Sequence, residues 1–165
     1  MKKQITICGS DGSDKYLSTY ALETAERVGK LIAKKNGIVI CGGHSGVMKA
    51  VCMGAKKENG LTVGITPYNK EEANEFVDIV IPTNIGNVRN YLVVNSGDVV
   101  IAIGGRSGTL NEISYAMISK KPLILIKGTG GIVDNIINGN VIQNIKNSYI
   151  IVDSAEEAVD KAFEL

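Results

Sequence analysis

Asp98-Val-Val-Ile-Ala-Ile-Gly-Gly-Arg-Ser-Gly-Thr-Leu-Asn-Glu112 passes from an apolar run through a glycine turn into a helical pattern, and the rest of the chain is arranged around it. Val99 to Ile103 is continuous rather than alternating and rich in β-branched types, as expected of a strand covered on both faces. Gly104, Gly105 and Gly108 then allow positive φ and close approach of a ligand to the backbone, while Ser107 and Thr109 bring hydroxyls to where a helix begins. The first turn of such a helix carries N–H groups without intrahelical partners and the positive end of the helix dipole. An anion is favoured there.

The same grammar occurs earlier, in Ile38-Val-Ile-Cys-Gly-Gly-His-Ser-Gly-Val-Met48. Gly42-Gly43-His44-Ser45-Gly46 and Gly104-Gly105-Arg106-Ser107-Gly108 share the pattern G-G-x-S-G, each after an apolar strand and before a helical run. In a parallel sheet both turns fall at the carboxyl edge, where open α/β sheets bind ligands. Glycine also closes tight strand-to-helix connections with no ligand involved. For one loop the two readings balance; the repeated pair favours a site that holds one phosphorylated molecule between the loops.

Outward from these loops, strands and helices alternate. Gln4 to Gly9 reads as a strand, followed by the polar loop Ser10-Asp-Gly-Ser-Asp14 with several helix-capping residues. Tyr16 to Lys35 has apolar positions at spacings of three and four, and Asn36-Gly37 ends that helix. Gly46 to Lys57 is the next helix, Leu61 to Thr66 the third strand and Asp78 to Ile81 the fourth, with a loop or short helical insertion at Tyr68 to Phe76. Ile85, Val88, Leu92 and Val93 form a short helical stripe, and Thr109 to Lys121 a longer helix. Pro122 to Ile126 is a sixth strand, Gly128-Thr-Gly-Gly131 a third glycine turn leading to a helix near Ile132 to Ile137, and Tyr149 to Val152 a last strand. Ser154-Ala-Glu-Glu157 caps a terminal helix with Ala158, Ala162 and Phe163 inward. The pattern predicts one doubly wound α/β domain over residues 1–165, with a mainly parallel sheet of about seven strands.

A chain of 165 residues buries roughly 70% of its unfolded surface without a disulfide or metal staple. The formal net charge of +1, with both signs interspersed, gives no electrostatic support to nucleic-acid or membrane-surface binding. The apolar run after Lys2 and Lys3 stops at Cys8, too short for a signal peptide, and no later run reaches transmembrane length, so a cytoplasmic protein is expected. Cys8, Cys41 and Cys52 lack C-x-x-C spacing, which argues against a disulfide framework or a metal site.

The widely used nucleotide motifs are absent: there is no G-x-x-x-x-G-K-[ST], and neither turn completes G-x-G-x-x-G. A mononucleotide-like phosphate suits the turns better than ATP hydrolysis or hydride transfer. Arg89 falls near the start of the helix after the fourth strand, by the same sheet edge, where its planar fork can take a phosphate or carboxylate. A surface salt bridge is the alternative, but such pairs contribute only about 0.2 to 1 kcal/mol. Glu112 fits a capping box, Thr109-Leu-Asn-Glu112, and equally a cleft-facing carboxylate that stabilises positive charge at a sugar anomeric carbon or positions a water. His44 has no second ligand nearby and reads as a loop residue; Arg106 is either a phosphate contact or solvent-exposed.

With Cys8-Gly9-Ser10 after the first strand, Gly42 to Met48 after the second, Arg89, and Gly104 to Glu112, nearly the whole chain resembles one superfamily. It is that of the LONELY GUY (LOG) phosphoribohydrolases, their relatives once mislabelled lysine decarboxylases, and the molybdenum cofactor carrier proteins. The resemblance implies a Rossmann-like fold, phosphate binding at Gly108 and Thr109, and Arg89 and Glu112 as catalytic candidates. LOG enzymes cleave the N-glycosidic bond of nucleoside 5′-monophosphates and carry P-G-G-x-G-T-x-x-E with an upstream Arg-Lys pair. This chain departs from that pattern: Gly104 stands at the proline, Arg106 at the second glycine, and Asn90 at the lysine. These departures weigh against the hydrolase, whereas the run G-G-x-x-G-V-M-x-A at Gly42 to Ala50 and the glycine at the proline more closely resemble the carrier branch, which is similar in fold and binds the phosphorylated pterin of the molybdenum cofactor unchanged.

The expectation is therefore a binding protein for a phosphorylated nucleotide or molybdopterin-type ligand, with molybdenum cofactor as cargo and no other cofactor required. The ligand-binding candidates are Gly9, Ser10, Gly42, Gly43, Ser45, Gly46, Gly105, Ser107, Gly108 and Thr109. The alternatives are a LOG-like N-glycosidase using Arg89 and Glu112, and a ligand-sensing interaction module. Relatives assemble as homo-oligomers, so a dimer or tetramer is expected, with Tyr115, Met117 and Ile118 as candidate contacts.

Overall fold

In the computed structural model, which describes residues 1–139, 141 and 149–165, seven strands form one sheet in the order β4-β3-β2-β1-β5-β6-β7. The strands are β1 (Gln4–Gly9), β2 (Ile38–Cys41), β3 (Leu61–Thr66), β4 (Ile79–Pro82), β5 (Val99–Ile103), β6 (Leu123–Ile126) and β7 (Ile150–Val152). Every neighbouring pair is parallel. The connecting helices are α1 (Thr19–Lys34), α2 (Val47–Lys56), α3 (Asn90–Ser96), α4 (Ser107–Ile118), α5 (Gly131–Ile137) and α6 (Ala155–Glu164). The chain is thus an α/β, Rossmann-like fold, as its alternation predicts.

Why β5 carries no polar residue follows from the two layers it feeds. Val99, Ile101 and Ile103 pack among residues of α1, α2 and α6, whereas Val100 and Ala102 pack among residues of α3, α4 and α5. Successive side chains point to opposite faces, so a strand covered on both must be apolar throughout. The edge strand β4 shows the contrast: Ile79 and Ile81 are exposed, and Pro82 ends it, where no ladder donor is needed.

Several boundaries differ from the sequence reading for local reasons. Helix α1 starts at Thr19 rather than Tyr16, because the loop before it bonds to itself: Asp11 Oδ1 accepts the Ser13 N–H and Asp14 Oδ1 the Tyr16 N–H, each at 3.0 Å. The cap falls to Ser18, whose Oγ accepts the Ala21 N–H at 3.1 Å. Asn36 and Asn59 end α1 and α2 with φ of 59° and 54°, the left-handed region asparagine tolerates. The Tyr68 to Phe76 insertion holds one 3₁₀ turn, Lys70–Glu72, and the stripe near Ile85 splits into a 3₁₀ turn, Gly86–Arg89, and α3. Helix α4 begins two residues earlier than Thr109 and ends at Ile118. Among the described residues no helix is long and apolar enough to cross a membrane.

Candidate functional site

The strand order reverses at β1. The chain steps outward through β2, β3 and β4, then returns to lay β5 against the other side of β1, with Gly9 beside Ile103. Such a reversal leaves a crevice outside the carboxyl ends, because the two connections diverge to opposite sheet faces. Ser10 ties the crevice together. Its Oγ accepts the Gly105 N–H at 2.8 Å, and its carbonyl accepts the Val47 N–H at 2.9 Å, so one residue joins the loops after β1, β2 and β5. The third glycine turn braces the second: Thr129 Oγ1 accepts the Gly104 N–H at 2.9 Å, and the Ile132 N–H donates to the Gly105 carbonyl at 2.8 Å.

Above these loops lies a cleft of about 570 Å³. The loop after β1 lines it with Gly9, Ser10, Asp11, Ser13 and Asp14; α2 and its preceding turn add His44 and Met48. The chain leading into α3 supplies Asn87, Val88, Arg89 and Asn90, and α4 with its preceding residue supplies Arg106, Ser107, Gly108, Thr109, Asn111, Glu112 and Tyr115. The volume falls within the range of small-molecule sites.

Arg89 and Glu112 are both buried in this wall, 6% and 7% exposed, with Arg89 Nη1 3.9 Å from Glu112 Oε1. Arg89 Nη1 also donates to Asn90 Oδ1, Nη2 reaches the Gly42 carbonyl at 3.5 Å, and Nε has no partner among the described residues. Asn90 in turn donates from Nδ2 to Asn111 Oδ1 at 2.9 Å, which joins α3 to α4 across the site. Burial pushes the Glu112 carboxyl up to about 7, although the Arg89 guanidinium and the Cys8 thiol pull the other way. Burial and the neighbouring Glu112 hold the Cys8 thiol well above its ordinary value. His44 is held low, by burial first and by Arg89 second; its Nδ1 lies 3.9 Å from Asp11 Oδ2, and its Nε2 has no partner among the described residues.

A capping box at Glu112 is excluded. With α4 starting at Ser107, Thr109 is the third helical residue and Glu112 the sixth, one turn too far to reach the cap.

The model of the SLOG cluster4 family matches residues 2–159. The chain belongs to the SLOG cluster4 family. Among other proteins, this family member is 42% identical over 131 residues to an uncharacterised protein of Archaeoglobus fulgidus, covering 76% of this chain and 84% of that one. It is 27% identical over 158 residues to the cytokinin riboside 5′-monophosphate phosphoribohydrolase of Mycobacterium tuberculosis, covering 84% of this chain and 83% of that one. The solved structure of the molybdenum cofactor binding protein of Rippkaea orientalis superposes with a TM-score of 0.88 at 34% identity, covering 99% of this chain and 97% of that chain. The LOG and molybdenum cofactor carrier resemblance is therefore real at the level of family and fold.

Within this SLOG cluster4 chain, the residues singled out from sequence divide into two groups. Gly9, Ser10, Arg89, Ser107, Gly108, Thr109 and Glu112 line the cleft. Gly42, Gly43, Ser45, Gly46 and Gly105 do not; they shape its support. A Cβ at Gly42 would stand 2.8 Å from Arg89 Nη2, so this glycine makes room for the arginine. Gly46 has φ of 66° and would place a Cβ 2.3 Å from the Ser10 carbonyl oxygen, so it permits the close approach of two loops. Ser45 is spent within the scaffold, its Oγ accepting the Gly12 N–H and donating to Asp11 Oδ2, both at 3.0 Å. Gly108 differs from all of these: a Cβ there meets nothing within 4 Å.

Sequence reasoning passed over Asp11, Asp14 and Asn111, gave Tyr115 to an oligomer contact rather than to the cleft it lines, and placed His44 only as a loop residue. Asn111 and Tyr115 were findable as cleft residues, since Asn111 follows Gly108 by three and Tyr115 follows Asn111 by four along one helix face. Asp11 and Asp14 follow the strand at which the order reverses, a fact that only the β1–β5 pairing reveals.

Proposed function

We propose that this chain works as one domain that binds a phosphorylated nucleotide or a molybdopterin-type ligand in the cleft outside β1 and β5, as a carrier of that ligand. One observation carries the reading: a buried arginine whose Nε lacks a partner among the described residues lines the same cleft as the open first turn of α4. An unpaired buried donor costs free energy unless a ligand completes it, and the first-turn N–H groups and dipole favour an anion beside it. Gly108 supports the reading because its missing side chain leaves the first turn bare toward the cleft. The likeness to a molybdenum cofactor binding protein over nearly the whole of both chains supports the pterin branch.

The test is thermal stabilisation by intact phosphorylated ligands, molybdopterin-type and nucleoside 5′-monophosphate. A ligand at about 100 times its dissociation constant adds roughly 2.7 kcal/mol. No stabilisation by any member of the panel would refute the proposal.

A second reading, phosphoribohydrolase activity on nucleoside 5′-monophosphates, is favoured by Glu112 alone. A carboxyl held near 7 beside an arginine in a cleft is suited to proton transfer. It predicts release of free base that disappears in Glu112→Gln, followed by chromatography. We also propose self-association as a dimer or tetramer. Val88, Tyr91, Leu92 and Ile118 are exposed apolar residues on or near α3 and α4, whereas Tyr115 is half-buried against Tyr91 and Met117 packs inward. A monomer by sedimentation at micromolar concentration would refute it.

A further inference from the structure

Asp14 is a carboxylate that the fold buries without fully using. It is 7% exposed and lines the cleft; its Oδ1 accepts the Tyr16 N–H at 3.0 Å, while Oδ2 has no partner among the described residues. Its neighbour Asp11 is different, with Oδ1 taken by the Ser13 N–H and Oδ2 by the Ser45 hydroxyl. Among the described residues the buried His44 Nε2, in the turn before α2, also lacks a hydrogen-bond partner and belongs to a residue of the same cleft. The loop after β1 thus offers an acceptor-rich surface with open capacity, whereas α4 and Arg89 offer donors. A ligand that satisfies both carries an anion at one end and N–H donors at the other.

We infer that Asp14 is the residue that selects the ligand's ring, by accepting hydrogen bonds from a heterocycle with an amino group next to a ring N–H. This rests on the reading that the cleft holds a phosphorylated heterocycle. The 2-amino-4-oxo pyrimidine edge shared by guanine and pterin has that donor pair. Adenine and cytosine place a lone pair beside their amino group instead, and a carboxylate oxygen facing that lone pair is repelled. Discrimination therefore comes from both an attractive and a repulsive contact, the arrangement that gives specificity beyond affinity. A hydrogen bond to a charged acceptor changes affinity by roughly 10-fold to 100-fold when lost.

The experiment titrates the full chain with guanosine, inosine and adenosine 5′-monophosphates and with inorganic phosphate by calorimetry, and repeats it with Asp14→Asn. Inosine keeps the ring N–H and lacks the amino group, so it separates the two contacts. The expected order is guanosine, inosine, adenosine, with guanosine about 10-fold or more tighter than adenosine. Asp14→Asn keeps an oxygen for the Tyr16 N–H and adds an amide donor that suits the adenine lone pair. It should erase or reverse the preference.

Equal binding of guanosine and adenosine monophosphates by the parent protein overturns the inference while leaving the cleft's ligand-binding role standing, and does so even if the variant folds poorly. A preference that survives in a folded Asp14→Asn also overturns it. Failure of every nucleotide and of phosphate to bind overturns both.

Discussion

Replacing Glu112 by glutamine tests the buried carboxyl directly through stability, with no knowledge of the ligand. Its folded-state pKa is raised from 4.5 to about 7 by burial. Below pH 4.5 the group is protonated in both folded and unfolded chains and contributes no difference. Between pH 4.5 and 7 the folded chain keeps the proton and the unfolded chain releases it, so stability falls as pH rises through this window. Above pH 7 both are ionised, and the folded state carries the whole penalty of a buried charge. The gap, at 1.36 kcal/mol for each pH unit, amounts to about 3 kcal/mol.

Glutamine resembles the neutral carboxyl in shape and does not titrate. The parent's stability, from urea unfolding between pH 4.5 and 8, should therefore drop by about 3 kcal/mol relative to Glu112→Gln. At pH 8 the variant should melt higher by about 6 to 12 °C, given roughly 2 to 4 °C for each kcal/mol in a chain of this size. A difference between parent and variant that stays flat across the range would refute the assignment of a neutral, desolvated carboxyl to Glu112.

Three further outcomes follow from named contacts. Gly108→Asp should fold as well as the parent, since its Cβ enters open space, but weaken binding of a phosphorylated probe at least about 10-fold by setting a negative charge at the anion-receptive turn; unaltered affinity would remove α4 from the site. Gly46→Ala, in contrast, should cost at least about 2 kcal/mol in urea unfolding, because φ of 66° and the Ser10 carbonyl both oppose a Cβ, and a near-neutral effect would contradict that packing. Cys8, Cys41 and Cys52 are all buried and free, so a thiol reagent should modify none of them rapidly in the native protein and all three after unfolding; fast native labelling would contradict their placement.

What the sequence determined by itself is local and periodic. The unbroken apolar run at Val99 to Ile103 requires cover on both faces, the three-and-four spacing in α1 requires one, and asparagine-glycine pairs end helices by their own backbone preferences. Those signals suffice for a parallel α/β architecture and for placing both glycine turns at the carboxyl edge. Even a helix opening near Gly108 with N–H groups free of intrahelical partners was legible, because helix ends expose them wherever they occur.

Tertiary structure decided which of the marked residues face the cleft. The two G-G-x-S-G turns are alike in sequence, yet Gly42 and Gly46 serve packing against Arg89 and Ser10 while Gly108 opens outward. That difference arises from strands paired across long stretches of chain, β1 with β5 above all, and no local pattern encodes it. The helix start at Ser107 removed the capping box that the spacing Thr109 to Glu112 suggested. Burial then did what composition cannot show: it enclosed Glu112 with Arg89, left Arg89 Nε without a partner among the described residues, and made Asp14, an ordinary loop residue in sequence, a largely buried part of the cleft wall. Electrostatic character at this site is a property of the enclosure, because the cost of a charge depends on what surrounds it.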